Sequence, residues 1–478
     1  MNENERYASI LTNKRENETT VSRSEKIDEF YSDRSRILFS SSFRRLQQKA
    51  QVFSLEPNSS VRTRMTHSIE VSDLGRTLAR SIVKRLVDSE IITERKGAYI
   101  VAIVENVCLA HDIGNPPFGH FGESAIKDWA NKSIFSKKSI FSKAFLKKKL
   151  FKLLVKDFTE FDGNPQGFRI ITKLHTERDA YGLNLTYGTL ISSLKYSRAA
   201  GEKVTDPDLN SAIVKKAGYF QTEKELVEKI CEKVGVKLHH RCPITYIMEA
   251  ADDIAYCLSD ISDGLEKRIL TLREFHDEFM KIWNEEYSGI NCPIKKFEGI
   301  ENFNLHVAIP IVKLAINEAA DKFINNHDTF LNGVAGELLD GSLAATALKT
   351  LKKVSRRLLY TSIEAESIEL SGYAVITGLL RHYEAILKMK FSEFEKFVYK
   401  KELDGFDLEK RLFNRIGNRY IKAYKYAIED LLKKDVDNFD IMEIWHRIHL
   451  IIDQISGMTD FYALEMYQMF EGISLKRG

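Results

Sequence analysis

A chain of 478 residues can bury one large core or two ordinary ones. With 44% hydrophobic and 29% charged residues its composition is globular, which excludes a disordered or fibrous polypeptide. A formal net charge of +3 excludes a molecule that is basic all over, so any nucleic-acid contact must come from a local patch.

The first residues, Met1 to Arg6, carry no apolar signal region, and no run reaches the ~18 uninterrupted apolar residues of a membrane span. The five cysteines (Cys108, Cys231, Cys242, Cys257 and Cys292) show no CxxC spacing. These features predict a cytoplasmic protein with no membrane partner, disulfide frame or structural zinc. Only 8 Pro and 25 Gly over this length favour long helices.

Residues 1–30 form a polar segment, extended or partly helical. From Asp33 the chain turns basic and apolar, and Phe43-Arg44-Arg45-Leu46-Gln47-Gln48-Lys49-Ala50-Gln51-Val52-Phe53 reads as a short basic helix followed by an extended piece. A turn at Glu56 to Ser60 leads into Arg62-Thr63-Arg64-Met65-Thr66-His67. Ile69, Leu74, Leu78, Ile82 and Leu86 then mark an amphipathic helix with His67 in its first turn. A histidine there suits a cap or a ligand. The guanidinium forks of Arg62 and Arg64 suit phosphate oxygens.

Val101 to Ala110 is an apolar helical run that ends in the densest chemistry of the chain, His111-Asp112-Ile113-Gly114-Asn115-Pro116-Pro117-Phe118-Gly119-His120-Phe121-Gly122-Glu123. Gly114, Pro116 and Pro117 stop the helix. His111 and Asp112 therefore sit at its end, and His120 and Glu123 follow on a glycine-hinged segment that can fold back beside them. Adjacent imidazole and carboxylate groups suit a divalent cation, and a second His and Glu suit proton transfer.

From Lys132 to Lys156 inclusive there are nine lysines and no acid, with Ser133-Ile134-Phe135-Ser136-Lys137 nearly repeated at Ser139-Ile140-Phe141-Ser142-Lys143. This insert reads either as a solvated lysine face or as a polyanion patch for single-stranded DNA or nucleotide. Asp162-Gly163-Asn164 is a polar loop opening a helix. Lys195-Tyr196 suits either a phosphate chain or the surface.

Tyr246 to Asp260 is strongly helical and puts Asp252, Tyr256 and Asp260 at i, i+4 and i+8 on one face, among Ala251, Ala255 and Leu258. Carboxylates in such company call for a cation or a donor. From about Thr271 onward the chain stays helical, for instance over His306 to Ile324, Leu343 to Leu359, Gly372 to Leu387 and Asp430 to Tyr467. Arg411, Arg415 and Arg419 would form one basic stripe on a helix. With no P-loop, GxGxxG or GxSxG motif and little period-2 alternation, the fold is expected to be all-α.

His67, His111-Asp112 and Asp252 form the H…HD…D pattern, and the chain resembles the HD-domain metal-dependent phosphohydrolases. Within them it is most similar to the bacterial deoxyguanosine triphosphate triphosphohydrolases. The likeness rests on the blocks Phe43 to Phe53, Arg62 to Val71, Ala110 to Glu123, Asp162 to Asn164 and Glu249 to Ile254, and runs from about residue 30 to residue 265. The lysine-rich insert is outside the family pattern.

The resemblance implies an HD-domain helical bundle at 31–270, interrupted by the insert at 132–156, with a further helical region at 271–478 packed on it. It implies His67, His111, Asp112 and Asp252 as ligands of Mn²⁺ or Mg²⁺, and His120 with Glu123 as the catalytic pair. Arg64, Lys195, Tyr256 and Asp260 would hold triphosphate and sugar, and Gln51 would read guanine. The implied reaction is hydrolysis of dGTP to deoxyguanosine and tripolyphosphate by a homo-oligomer, a hexamer in the family, with single-stranded DNA as a further partner. Two alternatives stay open: a broad dNTP triphosphohydrolase, and a single-stranded nucleic-acid-binding protein that carries an HD site.

Overall fold

The computed structural model describes residues 3–18, 21, 23–136, 139–177, 179–294, 302–401, 403–434 and 436–473. The fold is all-α. Among the described residues, pairing between extended segments is limited to isolated bridges at Arg15–Thr186, Ala50–Thr63 and Ala199–Tyr219.

Two N-terminal helices, α1 (Glu3–Ile10) and α2 (Lys26–Leu38), close over the rest of the chain. The opening segment is polar in composition, yet Tyr7, Ile10 and Leu11 are buried in the main core. Helix α3 (Arg64–Asp88) starts at Thr63, whose hydroxyl accepts from the Thr66 N–H in a reciprocal capping box. Its buried face runs through His67, Val71, Leu78, Ile82 and Leu86. It packs closely on α4 (Glu94–Ala110), because Gly75 leaves room for Cys108: a β-carbon at Gly75 would lie 2.6 Å from the cysteine sulfur.

After the turn at 111–118 comes α5 (Gly119–Trp129), then the insert, then α6 (Gly163–Lys173), which is capped by the Asp162 carboxylate accepting from the Asn164 N–H. Helix α7 (Pro243–Glu266), with Pro243 in its first turn, lies against both α3 and α4. The C-terminal region contributes α8 (Leu343–Leu358), α9 (Ile363–Leu387), α10 (Phe439–Ser456) and α11 (Asp460–Phe470). One hydrophobic core is continuous from Tyr7 to Met466.

A buried charge cluster joins the C-terminal region to the front of the molecule. The Arg169 guanidinium of α6 donates to both oxygens of Asp453 on α10, at 3.0, 3.1 and 2.8 Å, and to Glu223 at 3.1 Å. Trp445 and His449 of α10 both reach Asp157 Oδ2 at 3.1 Å.

Two expectations about the helices need correction. Arg411, Arg415 and Arg419 do not share a helix, because one helix ends at Phe413 and the next begins at Asn418. The break is held by the Gly417 N–H donating to Gln454. Arg411 is exposed beside Asp407, whereas Arg419 donates to Ser41. Asp430 to Tyr467 is likewise three helices, interrupted after Lys433 and again between Ser456 and Asp460. The helix expected from His306 to Ile324 is present, as a π-helical turn over Asn304–Ala308 that runs into a regular helix over Ile309–Asn325.

In the lysine-rich insert, Lys137 and Lys138 lie outside the described residues. The rest forms short helices at Lys143–Lys147 and Lys149–Leu154 over a cluster of Phe141, Phe145 and Phe151.

Candidate metal centre

Helices α3, α4 and α7 each bring one side chain to a common point. His67, in the first turn of α3, is fully buried, and its Nε2 lies 3.4 Å from Asp252 Oδ1. His111, where α4 ends, places its own Nε2 3.4 Å from the same oxygen. The donor atoms of His67, His111 and Asp252 all lie within 4.8 Å of one another. The adjacent acid, Asp253, points elsewhere and pairs with Lys352 of α8 at 3.0 Å.

The His111 ring is oriented from behind. Its Nδ1 lies 2.7 Å from the Cys108 carbonyl, which can only accept, so Nδ1 carries hydrogen and Nε2 is the nitrogen turned to the centre. Burial opposes a charge on this ring, but the Asp112 and Asp252 carboxylates outweigh it and raise its pKa to about 9. Asp252 moves the other way. Despite burial, Lys195 and His111 hold its carboxyl well below the usual range. Two imidazole nitrogens and a carboxylate, convergent and buried or half-buried, fit a divalent transition metal better than Ca²⁺.

The fourth expected ligand, Asp112, stands beside this group. Its Oδ1 is 3.7 Å from His111 Nε2, and it accepts from the Asn115 amide. Its Oδ2 accepts from Arg64 Nη1 at 3.0 Å. Arg64 and His111 keep Asp112 ionised in spite of its burial. Lys195, from the other side, lies 3.2 Å from Asp252 Oδ2, and its carbonyl accepts from Arg241, which is itself paired with Glu249.

His120 and Glu123 form the expected pair on α5. His120 is exposed, and its Nδ1 is 3.1 Å from Oε2 of the buried Glu123. The other oxygen, Oε1, accepts from the Gly163 N–H at 2.8 Å, so the Asp162-Gly163-Asn164 loop braces the pair. An ionised Glu123 fixes the Nδ1–H tautomer and leaves His120 Nε2 able to take a proton.

Tyr256 and Asp260 share a face of α7 as the spacing requires, but they are joined by a residue that sequence reasoning missed. The Tyr360 hydroxyl lies 2.5 Å from the Tyr256 hydroxyl and donates to Asp260 Oδ2. Burial raises the Asp260 pKa to about 7, with Tyr360 and Tyr256 acting against the rise. Gln51 is half-buried, and its Oε1 has no hydrogen-bond partner among the described residues. Nothing in the chain near Asp260 marks Tyr360, which lies 100 residues away in sequence.

A second group, Glu3, His327 and Asp328, also has converging donor atoms, but both ring nitrogens of His327 are engaged, by Tyr7 and by Glu3. That histidine is accounted for as a contact between α1 and the body of the protein.

The HD domain family matches residues 64–223 of this chain. That match supports the HD-domain phosphohydrolase superfamily, whose domains bind divalent metals, and a hydrolase of phosphoric ester bonds in general. It covers His67, His111 and Asp112 but stops short of Asp252, which the fold brings in from α7. Among the described residues no helix is long and apolar enough to cross a membrane.

Proposed function

We propose that this chain hydrolyses dGTP to deoxyguanosine and tripolyphosphate, with a divalent cation at His67, His111, Asp112 and Asp252. The carrying observation is the convergence of His67 and His111 on Asp252, with Arg64 and Lys195 flanking the acids. A bound Mn²⁺ or Mg²⁺ supplies Lewis acidity toward the phosphoryl oxygens and toward water.

The chain's own residues account for the rest. Arg64 and Lys195 present positive charge to the triphosphate and offset the negative charge that grows on its oxygens during cleavage. His120, held by Glu123, manages a proton at Nε2. Water attacks the α-phosphorus, the bond to the 5′-oxygen breaks, and one proton from the water ends on that oxygen. Tyr256, Asp260 and Tyr360 offer hydroxyl and carboxylate groups to a sugar. The free Gln51 carboxamide can donate and accept at once, as a purine edge requires.

The test is to incubate the Mn²⁺-loaded protein with each of the four dNTPs and with GTP, and to resolve the products. Deoxyguanosine and tripolyphosphate from dGTP alone is the expected result. Equal turnover of all four would make it a broad dNTP triphosphohydrolase. Release of dGMP and pyrophosphate would overturn the choice of bond.

One observation favours a second role, the binding of single-stranded DNA. Lys143, Lys147, Lys149 and Lys152 are exposed and form no ion pair among the described residues. Assembly into a homo-oligomer, a hexamer by resemblance, belongs to the same proposal. The exposed Ile363 and Leu370 of α9 give it an apolar surface.

A further inference from the structure

Lys49 is almost completely buried, at 2% exposure, in the short segment between the basic helix and α3. Its ammonium donates to two backbone carbonyls from distant parts of the chain: Asn115 in the turn after His111-Asp112, at 2.5 Å, and Ser456 at the end of α10, at 2.7 Å. Its own carbonyl accepts from the Arg64 N–H at 2.9 Å. Next to it, the Ala50 N–H donates to Asp460 Oδ2, while Asp460 Oδ1 accepts from the Phe118 N–H, each at 3.1 Å. Phe118 needs such a hold, because it is a non-glycine residue at φ +60°.

These contacts close a loop around one carboxylate. Asp112 is gripped at Oδ1 by the Asn115 amide and at Oδ2 by the Arg64 guanidinium. Both gripping residues are tied to Lys49, Asn115 through its carbonyl and Arg64 through its N–H. We infer that Lys49 is a positioning residue for the metal centre: it fixes Asn115 and Arg64, and through them the direction in which Asp112 presents its oxygens. The C-terminal corner at Ser456 and Asp460 is the anchor for this arrangement. Partners that orient a ligand matter to the ion almost as much as the ligands do.

Burial, with Arg45 and Arg64 nearby, lowers the Lys49 pKa to about 7. The arrangement survives that titration, since a neutral amine keeps two N–H bonds for the two carbonyls.

The inference rests on the proposed metal site but not on the proposed substrate, and the test separates the two. Mn²⁺ alone is titrated into the wild-type protein and into Lys49→Met, Lys49→Arg and Asn115→Ala, with folding checked by circular dichroism. Kinetics with dGTP are run in parallel. Lys49→Met and Asn115→Ala should each lose roughly 10–100-fold in Mn²⁺ affinity. Their kcat should fall with KM for dGTP nearly unchanged, and Lys49→Arg, which keeps donors for both carbonyls, should restore most of the loss. If Lys49→Met does not fold, Asn115→Ala decides. Wild-type Mn²⁺ affinity in a folded Lys49→Met or Asn115→Ala protein would overturn the inference. A wild-type protein that takes up Mn²⁺ but cleaves no nucleotide would sink the substrate reading alone, and the affinity comparison would still decide this one. A wild-type protein that takes up no Mn²⁺ would remove both.

Discussion

Gly114 rests directly on the backbone of Gly163: a β-carbon at residue 114 would lie 1.9 Å from the Gly163 carbonyl oxygen and 2.1 Å from the Gly167 nitrogen. The turn that carries His111 and Asp112 is thus seated on the first turn of α6, the same turn that donates to Glu123. Gly114→Ala would force these backbones apart, since neither neighbour is a side chain that can swing away. Turnover should fall by about 100-fold or more, the scale of loss for a displacement of order 1 Å at a reacting centre. A folded Gly114→Ala protein with normal kcat would show that the two turns need not touch.

The two halves of the site should separate by mutation. His120→Ala leaves His67, His111 and Asp252 untouched, so Mn²⁺ affinity should hold while kcat drops by ~10²-fold or more. His111→Ala should lose metal and turnover together. Calorimetric titration with Mn²⁺ beside steady-state kinetics distinguishes the cases, and loss of metal in His120→Ala would make His120 a ligand.

Metal uptake should depend on pH in a defined direction. In the metal-free protein the His111 pKa is raised to about 9, above the ordinary value of 6.5. The protonated ring stabilises the metal-free fold below the ordinary value, and that contribution fades as pH rises through about 9. An ion must displace this proton, so Mn²⁺ affinity should climb by about tenfold per pH unit up to that point. Flat affinity between neutral pH and pH 9 would mean that His111 is not a ligand.

Arg169 offers a test of stability apart from chemistry. It is buried between Asp453 and Glu223, which are buried themselves. Arg169→Ala would strand both carboxylates and should cost about 3–5 kcal/mol in urea unfolding. A loss below about 1 kcal/mol would place the weight of the α6–α10 contact on its apolar neighbours instead.

The lysine-rich insert yields a salt-dependence experiment. Neutralising Lys147, Lys148 and Lys149 together should weaken binding to single-stranded DNA and flatten the dependence of affinity on salt by about two units of log–log slope. An unchanged slope would return these lysines to the role of a solvated face.

What was legible in the sequence is local or periodic. The helical class follows from apolar spacing and from scarce proline and glycine. The i, i+4, i+8 register of Asp252, Tyr256 and Asp260 places them on one face of α7, and the resemblance picks Asp252 over Asp253, which is turned to Lys352. Contacts handed across the chain leave no such trace. Lys49 looks like one more residue of a basic stretch until Asn115 and Ser456 are folded onto it. Tyr360 has no spacing relation to Asp260. The arginine series failed because a spacing of four describes a stripe only when the helix is unbroken, and Gly417 interrupts it.

The span of these contacts sets an order of assembly during synthesis. A nascent chain that has reached residue 223 contains the whole matched segment, yet of the four expected ligands it holds only His67, His111 and Asp112. Asp252 arrives later, and the carbonyl that anchors Lys49 is made 407 residues after Lys49 itself. The four expected ligands are therefore all present once Asp252 is made, whereas the brace waits for Ser456, and a chain cut short between the two would carry every expected ligand while the turn at Asn115 lacked its anchor.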